Sequence, residues 1–280
     1  MPGAATSDSY RELATNFAGM NARVLIAEDN ATNREVALGM LRKLGIHADA
    51  VADGAAAIVA LASTSYDLVL MDVRMPVMDG IEATQQIRNP NSAVLNHDVP
   101  IVAITANALE SEKESCLAAG MSGFVPKPVS TAALREALEK WLRIGDIDNS
   151  LKAGHLVPAP PAESKTMVFD LDGVLARLEG DNTLAQVVFA SFLEDVPRKI
   201  QALKDLVKSG DHAGSARLAH SICGASASVG GDSLRSLAAA MEKAADAGDL
   251  NFLAAGMNKL EIQFRLLKNA IEENDSAHTK

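Results

Sequence analysis

The stretch YDLVLMDVRMP, residues 66–76, predicts a strand that is buried on both faces and ends at Asp72. Its apolar run is short and bounded by polar residues, which is typical of a strand in the middle of a parallel sheet. Four further runs of this kind occur in the first half of the chain. They are RVLIAEDN (23–30), IHADAVADG (46–54), VPIVAITAN (99–107) and GFVPKP (123–128).

Segments with helical spacing follow the predicted strands. They are NREVALGMLRKLG (33–45), AAAIVALAS (55–63), GIEATQQIR (80–88), LESEKESCLAAG (109–120) and STAALREALEKWL (130–142). Ser130 is the predicted N-cap of the last one. Apolar strands that alternate with helices indicate a parallel sheet covered by helices on both faces. The first half of the chain is therefore predicted to be a doubly wound α/β domain with five strands.

The composition changes beyond this domain. Residues 144–166 contain Pro158, Pro160 and Pro161 among small and polar residues, which predicts a flexible linker. The strand pattern ends there, and an all-α domain is predicted over residues 167–275. Its predicted helices cover 181–195, 197–209, 211–229, 232–247 and 249–272, separated at Pro197, Gly210-Asp211, Gly230-Gly231 and Gly248-Asp249. Residues 1–22 are predicted to be a leader, and the α/β domain is assigned residues 23–143.

Five polar side chains follow the predicted strands where these end: Glu28, Asp29, Asp72, Thr105 and Lys127. Ligands of an open parallel sheet bind beyond the carboxyl ends of its strands. Neighbouring carboxylates repel one another unless they share a cation, and oxygen ligands suit Mg²⁺. Mg²⁺ and Lys127 would offset the charge of a phosphoryl group on Asp72, and Thr105 could bind a phosphate oxygen. Each residue alone is more often a solvated turn or surface group, but the set predicts a phosphoryl-transfer site.

Residues 23–143 resemble a response-regulator receiver domain. The motifs that carry the resemblance are LIAEDNATNRE, LVLMDVRMPVMDG, AITAN and PKP, and they extend over the whole domain. The resemblance implies a flavodoxin-like fold with strand order 2-1-3-4-5. It also implies that Asp72 is the phosphoacceptor, Thr105 the switch hydroxyl and Lys127 the partner of the phosphate. The aromatic switch position is Phe124, which lacks the hydroxyl of a tyrosine.

The same resemblance implies a Mg²⁺ site. Its ligands would be Asp29, Asp72 and the backbone carbonyl of Arg74, with Glu28 assisting.

In the second domain, RLAHSICGASASVGG (217–231) carries a histidine at a distinctive position. At 100° per residue, one narrow helical stripe forms the predicted core face, consisting of Leu218, Ile222, Ala225 and Val229. His220 points about 190° from the centre of this stripe. Mostly small residues surround it, namely Ala216, Arg217, Cys223, Gly224 and Ala227. A lone surface histidine usually has no function, but this one is accessible to a docking partner, and imidazole is a capable nucleophile.

The second domain resembles histidine phosphotransfer domains in four stretches. They are FDLDGVLARLEGD, FLEDVPRKIQALKDLVKSGD, AHSICGASASVGGDSL and MEKAADAGDL. The resemblance implies an antiparallel four-helix bundle with an additional N-terminal helix, and His220 as a phosphoacceptor. One departure is Cys223, where the family usually has lysine. Arg217, one turn before His220, is the candidate to replace that charge.

Bulk composition excludes several other classes of function. The formal net charge of −10 disfavours nucleic-acid backbone binding. No apolar run reaches the roughly 18 residues that a membrane span needs, and the N-terminus lacks a signal-peptide core, so no membrane contact and a cytoplasmic location are expected. Cys116 and Cys223 are too few and too far apart to suggest a disulfide framework.

The two resemblances together predict a two-component phosphorelay protein that passes a phosphoryl group between Asp72 and His220. The chain would be the C-terminal part of a hybrid sensor histidine kinase or a free-standing relay protein. Its expected partners are a sensor histidine kinase and a downstream response regulator, and a weak, transient contact between its own two domains is also predicted. No ATP-binding kinase segment is visible, so the chain alone is not expected to phosphorylate itself from ATP.

A second hypothesis comes from DLDGV (170–174), which resembles the opening motif of haloacid dehalogenase-like phosphatases. In that family the first aspartate, here Asp170, takes the phosphoryl group, and the second, here Asp172, acts as acid and base. The family also needs later strands with further site residues, whereas helices are predicted for the remainder of this chain. The motif is therefore predicted to begin a helix, where acids favour the helix dipole. A third hypothesis is a non-catalytic module that only sequesters partners.

Overall fold

The computed structural model describes residues 17, 19–105, 110–142 and 168–278. The predicted linker lies outside these residues, as does most of the predicted leader, of which Phe17 is buried in the core. Within the described ranges, no helix combines the length and apolar character that a membrane crossing requires.

The first domain is a five-stranded parallel sheet in the order β2-β1-β3-β4-β5, as predicted. Its strands are β1 (Arg23–Ala27), β2 (His47–Val51), β3 (Leu68–Asp72), β4 (Ile101–Thr105) and β5 (Gly123–Pro126). The helices between and after them are α1 (Ala31–Lys43), α2 (Gly54–Ser63), α3 (Gly80–Arg88), α4 (Glu110–Ala119) and α5 (Thr131–Trp141). Ser130 caps α5 through a hydrogen bond from the backbone N–H of Ala133.

Alternating side chains of the strands fill two cores. Val24, Ile26 and Leu70 belong to one core with residues of α1 and α5, whereas Leu25, Val69 and Met71 belong to the other with residues of α2 and α3. Both faces of the sheet are thus covered, which explains why strands β3 and β4 are apolar up to their last residues, Asp72 and Thr105.

The second domain is a helical bundle with a short helix before it. Its elements are α6 (Leu171–Arg177), α7 (Asn182–Ser209), α8 (His212–Ser228), α9 (Asp232–Asp246) and α10 (Leu250–His278). The predicted breaks at glycine occur as expected: Gly210, Gly230 and Gly248 adopt positive φ angles. Asp211 caps α8 by accepting a hydrogen bond from the N–H of Gly214.

The predicted break at Pro197 is wrong, because α7 runs through this residue as one helix of 28 residues. An interior proline costs a helix about 3 kcal/mol through its missing N–H and its clash with the preceding turn. Phe192 and Val196 before it, and Ile200 and Leu203 after it, are buried. Each such side chain stabilises by about 1.5–3 kcal/mol, so packing on both sides outweighs the cost of the proline.

The two domains contact each other through α1, which packs against α7 and α8. The hydrophobic core on the α1 side of the sheet continues into the bundle as one cluster. Gly39 of α1 lies directly against Leu184 of α7, and a Cβ atom at position 39 would collide with that leucine. The structure therefore contains a packed contact between the domains, where only a weak, transient one was predicted, and α1 has a buried side towards each of them.

Candidate functional site

The carboxyl ends of β1 and β3 bring three acidic side chains together. One carboxylate oxygen each from Glu28, Asp29 and Asp72 lies within 4.8 Å of the others. Glu28 and Asp72 are buried, and Asp29 is partly buried. Helix α3 begins immediately beside this cluster, because Gly80 has no Cβ atom to collide with the carbonyl oxygen of Asp72. The grouping that the sequence predicts is thus present in the fold.

Lys127, which follows β5, completes the cluster. Its Nζ lies 2.8 Å from Oε2 of Glu28 and 2.7 Å from Oδ2 of Asp72. Burial alone would lower the pKa of Lys127, but the charges of Asp72 and Glu28 outweigh it and raise the pKa above its ordinary value. Burial raises the pKa of Glu28, and the charge of Asp72 raises it further. Burial and the charge of Glu28 likewise raise the pKa of Asp29.

The remaining residues predicted for this site surround the cluster. Thr105 is buried at the end of β4, and its hydroxyl donates a 2.9 Å hydrogen bond to Glu112. The N–H of Arg74 donates to Oδ1 of Asp72 over 3.2 Å. Phe124 in β5 is partly buried against the core on the α2 side of the sheet. Apart from Phe124, which lies within β5, the predicted receiver-site residues therefore lie at the same edge of the sheet.

His220 of α8 lies on the side of the bundle that faces the first domain. The predicted core stripe of α8 is largely buried: Ile222, Ala225 and Val229 are fully buried, and Leu218 is partly buried. Nδ1 of His220 lies 2.9 Å from Oε1 of Glu242 in α9. A carboxylate only accepts hydrogen bonds, so Nδ1 carries the proton and Nε2 remains available.

Glu242 also contacts the first domain. Its Oε1 accepts a hydrogen bond from NH1 of Arg74 over 2.6 Å. Burial alone would raise the pKa of Glu242, but the hydrogen bond from His220 and the charge of Arg74 hold it below its ordinary value. One ionised carboxylate thus joins the histidine of the bundle to the loop after β3.

Polar contacts beside His220 hold the two domains in register. Asn30 Nδ2 donates to the backbone oxygen of Ser221 over 2.7 Å and to its hydroxyl over 3.1 Å. Ser228 Oγ donates to Oδ1 of Asn33 over 2.9 Å. A Cβ atom at Gly224 would lie 3.1 Å from Nδ2 of Asn33, so the small residues around His220 provide space for α1. The prediction that His220 lies on an exposed face is therefore corrected: the first domain covers that face, and the side chain of His220 is only 14% exposed.

The position that departs from the family pattern, Cys223, carries no charge. Burial and the neighbouring carboxylate of Glu242 raise the pKa of its thiol to about 11. Arg217, predicted to compensate, is exposed. Lys199 of α7 instead donates a 2.9 Å hydrogen bond to the hydroxyl of Ser221, and its charge lowers the pKa of Asp29 against the dominant effect of burial. A cation from another helix therefore lies at this edge of the bundle.

Three residues at the site escaped the sequence analysis: Glu242, Lys199 and the side chain of Arg74. Glu242 and Lys199 lie within stretches that carry the resemblance, but they are more than 20 residues from His220 along the chain, on other helices, and nothing in those stretches singles them out. Arg74 follows Asp72 by two residues, so its position near the site was predictable, but only its backbone carbonyl was predicted to take part.

Asp170, the basis of the phosphatase hypothesis, is the N-cap of α6. Its carboxylate accepts a 2.9 Å hydrogen bond from the N–H of Gly173. Asp172 lies in the first turn of that helix, and only helices follow it within the described residues. The haloacid dehalogenase-like hypothesis is not supported.

Comparisons with known proteins find sensor histidine kinases among the relatives of this chain. The chain is 41% identical to Histidine kinase 5 of Arabidopsis thaliana over 143 residues, which is 43% of this chain and 16% of that protein. It is 31% identical to Sensor histidine kinase GacS of Pseudomonas protegens over 213 residues, 76% of this chain and 23% of that protein. The chain therefore spans less than a quarter of the length of these two relatives.

Among solved structures, the chain is similar to the receiver domain of sensor histidine kinase PA1611 from Pseudomonas aeruginosa, which was described with a magnesium ion in its active-site cleft. The identity is 42% and the TM-score 0.40, covering 43% of this chain and 97% of that one.

Family models match both halves of the chain. Residues 24–139 match the response regulator receiver domain, and residues 187–276 match the Hpt domain, the family of histidine phosphotransfer domains. With the sheet order and the helical bundle already described, these matches show that the chain consists of a response regulator receiver domain followed by an Hpt domain.

Proposed function

We propose that this chain is a phosphorelay protein in which a phosphoryl group passes between Asp72 of the receiver domain and His220 of the Hpt domain. The observation that carries the proposal is the bridge formed by Glu242. This carboxylate contacts His220 at 2.9 Å and Arg74, two residues after Asp72, at 2.6 Å. The docked domains therefore bring the histidine to the edge of the sheet where the acidic cluster lies.

The chemistry follows from the hydrogen bonds of His220. Transfer from Asp72 forms a bond between phosphorus and Nε2 and breaks the bond between phosphorus and the carboxylate oxygen, which keeps the electron pair. The imidazole becomes positively charged, and its Nδ1 proton stays hydrogen-bonded to the carboxylate of Glu242, which offsets that charge. Transfer in the other direction uses the same contacts in reverse.

The receiver residues fit a divalent cation. Lys127 neutralises one of the three negative charges of Glu28, Asp29 and Asp72, which leaves an uncompensated charge of the size that Mg²⁺ supplies. We propose that Asp29, Asp72 and the carbonyl of Arg74 would hold the ion, with Glu28 assisting. The ion would offset the charge of the transferring phosphoryl group. Lys127 and the hydroxyl of Thr105 would bind the other oxygens of the phosphoryl group.

The partners belong to the same proposal. Receiver and Hpt domains imply a sensor histidine kinase as phosphoryl donor and another response regulator as acceptor. The relatives named above are histidine kinases, and this chain matches only a part of each. The proposal thus concerns the relay steps of these two domains.

The proposal is tested by labelling the whole chain with radioactive acetyl phosphate in the presence of Mg²⁺, removing the donor and following the label. We expect label to move from an acid-stable aspartyl form to an acid-labile phosphohistidine. Because the domains are docked within one chain, the rate should be first-order and unchanged by dilution. A chain that takes up no label would support a module that only sequesters partners. A rate that falls in proportion to dilution would show that transfer occurs between molecules.

Replacing Glu242 by alanine is expected to slow this transfer about 10- to 100-fold, because His220 loses the acceptor that orients its ring. Labelling of Asp72 by acetyl phosphate should not change. Glu242→Gln keeps an acceptor oxygen without the charge, so its transfer rate should lie between that of the unaltered chain and that of the alanine variant. The tautomer of His220, followed by its ¹⁵N chemical shifts, provides a readout that a purely structural effect would not alter.

Asp246→Ala is the matched control for Glu242. It removes an exposed carboxylate one turn later in the same helix. Equal transfer rates and equal tautomer populations in all these variants would show that Glu242 does not position His220.

A further inference from the structure

A second zone of contact lies between the domains, involving the turn at residues 178–180, which joins α6 to α7. Lys43, the last residue of α1, donates from Nζ to the backbone oxygen of Leu178 over 2.9 Å and to that of Glu179 over 3.3 Å. Thr131, the first residue of α5, donates from its hydroxyl to the backbone oxygen of Arg177 over 3.1 Å. The receiver domain thus binds three successive carbonyl groups of the Hpt domain.

These carbonyls are exposed to the receiver because of how α6 ends. The last carbonyls of a helix have no partner within it, and they attract cations. Glu179 and Gly180 both adopt left-handed conformations, with φ angles of 52° and 76°. This reversal turns the chain into α7 and leaves the oxygens of residues 177–179 as acceptors for side chains from elsewhere. The backbone N–H groups of residues 178–180 bind the earlier carbonyls of α6, and the receiver domain binds the carbonyls of residues 177–179 that follow them.

An ion pair extends the same zone. Arg135 of α5 lies 3.0 Å from the carboxylate of Glu179, with side-chain exposures of 19% and 37%. Pairs this accessible contribute little, whereas hydrogen bonds from a partly buried ammonium group to carbonyls are stronger. Lys43 is therefore expected to carry more of the stabilisation than Arg135.

We propose that the turn 178–180, together with Lys43, Thr131 and Arg135, is a docking latch that determines which Hpt domain this receiver accepts. The proposal rests on the proposed function, since it concerns the docking that precedes transfer. The contacts beside His220 use asparagines, serines, small residues and the pair of Arg74 with Glu242. The latch adds a lysine, an arginine and a left-handed turn, which another bundle would have to present in the same place. Lys43 and Arg135 are thus specificity-determining residues that act on docking and not on the phosphoryl group.

The experiment compares Lys43→Met with Arg42→Met in the whole chain. Both variants remove one positive charge from the last turn of α1, but Arg42 is exposed. Opening of the domain interface can be followed without phosphorylation by the rate at which a thiol reagent modifies Cys223, which lies beside His220, is partly buried and has a raised thiol pKa. We expect Lys43→Met to raise this rate about tenfold, equivalent to about 1.4 kcal/mol in the docking equilibrium. Arg42→Met should leave it unchanged.

Transfer from Asp72 to His220 should slow in Lys43→Met, while labelling of Asp72 by acetyl phosphate stays as in the unaltered chain. A charge reversal provides a second measurement. Arg135→Glu should increase modification of Cys223 about threefold, and adding Glu179→Arg should restore it. If Lys43→Met and Arg42→Met behave alike, and the reversed pair does not recover, the latch is refuted. Failure of the proposed function would appear differently, as absence of label on His220 in the unaltered chain.

Discussion

Asp72→Asn is expected to abolish the Mg²⁺-dependent uptake of phosphoryl groups from acetyl phosphate, reducing label by more than about 100-fold. The amide is a poor nucleophile, yet its one oxygen can still accept a hydrogen bond, from Lys127 or from the N–H of Arg74, so the fold should persist. Incorporated label and circular dichroism, measured on the same preparation, check both parts of the expectation.

Asp79→Asn is the control for this substitution. Asp79 caps α3 by accepting from the N–H of Glu82, and asparagine caps helices equally well. This variant should therefore take up label normally. Full labelling of Asp72→Asn, with the same stability to acid and lability to base, would mean that another carboxylate is the acceptor.

His220→Gln is expected to eliminate phosphohistidine completely while label remains on Asp72. Glutamine can still donate a hydrogen bond to Glu242, so the contact with α9 is kept and only the nucleophilic nitrogen is lost. The acid-labile fraction of the label measures the effect. His212→Gln, which changes a histidine at the start of the same helix, should leave that fraction as it is.

Persistence of acid-labile label in His220→Gln, and its loss in His212→Gln, would overturn the assignment of His220. Mixing the Asp72→Asn chain with the His220→Gln chain gives further information, since only transfer between molecules remains in the mixture. Slow, concentration-dependent labelling there, beside fast transfer in the unaltered chain, would separate the two routes.

Much of the receiver fold was predictable because four of its five strands, β1, β3, β4 and β5, are short apolar runs that end at or just before a predicted site residue. Asp72 at the end of β3 and Lys127 after β5 could be placed together from topology alone, since parallel strands end at one edge. The break at Pro197 was not predictable locally, because buried side chains on both sides of it decide the outcome. Glu242 was missed for a related reason: a hydrogen bond between helices leaves no periodic trace in the sequence.

It could not be deduced from the sequence either that the side of α1 with Gly39 packs against the second domain. Helical spacing assigns one side of α1 to the sheet, but the opposite side lies against Leu184 of another domain. A glycine in the middle of a helix costs about 1 kcal/mol relative to alanine, which in retrospect is a signal of close packing.

The low exposure of His220 has a consequence for any competing acceptor. A foreign receiver domain can reach the histidine only in molecules whose own receiver has moved away, so its apparent dissociation constant equals the intrinsic one divided by the open fraction. If about one molecule in a hundred is open, the competitor must be about a hundred times more concentrated to reach the same occupancy. The closed pair of domains would then set a minimum concentration or affinity for a competing receiver domain. Receiver domains that are abundant or bind tightly would reach His220, whereas those that meet the bundle by chance would not.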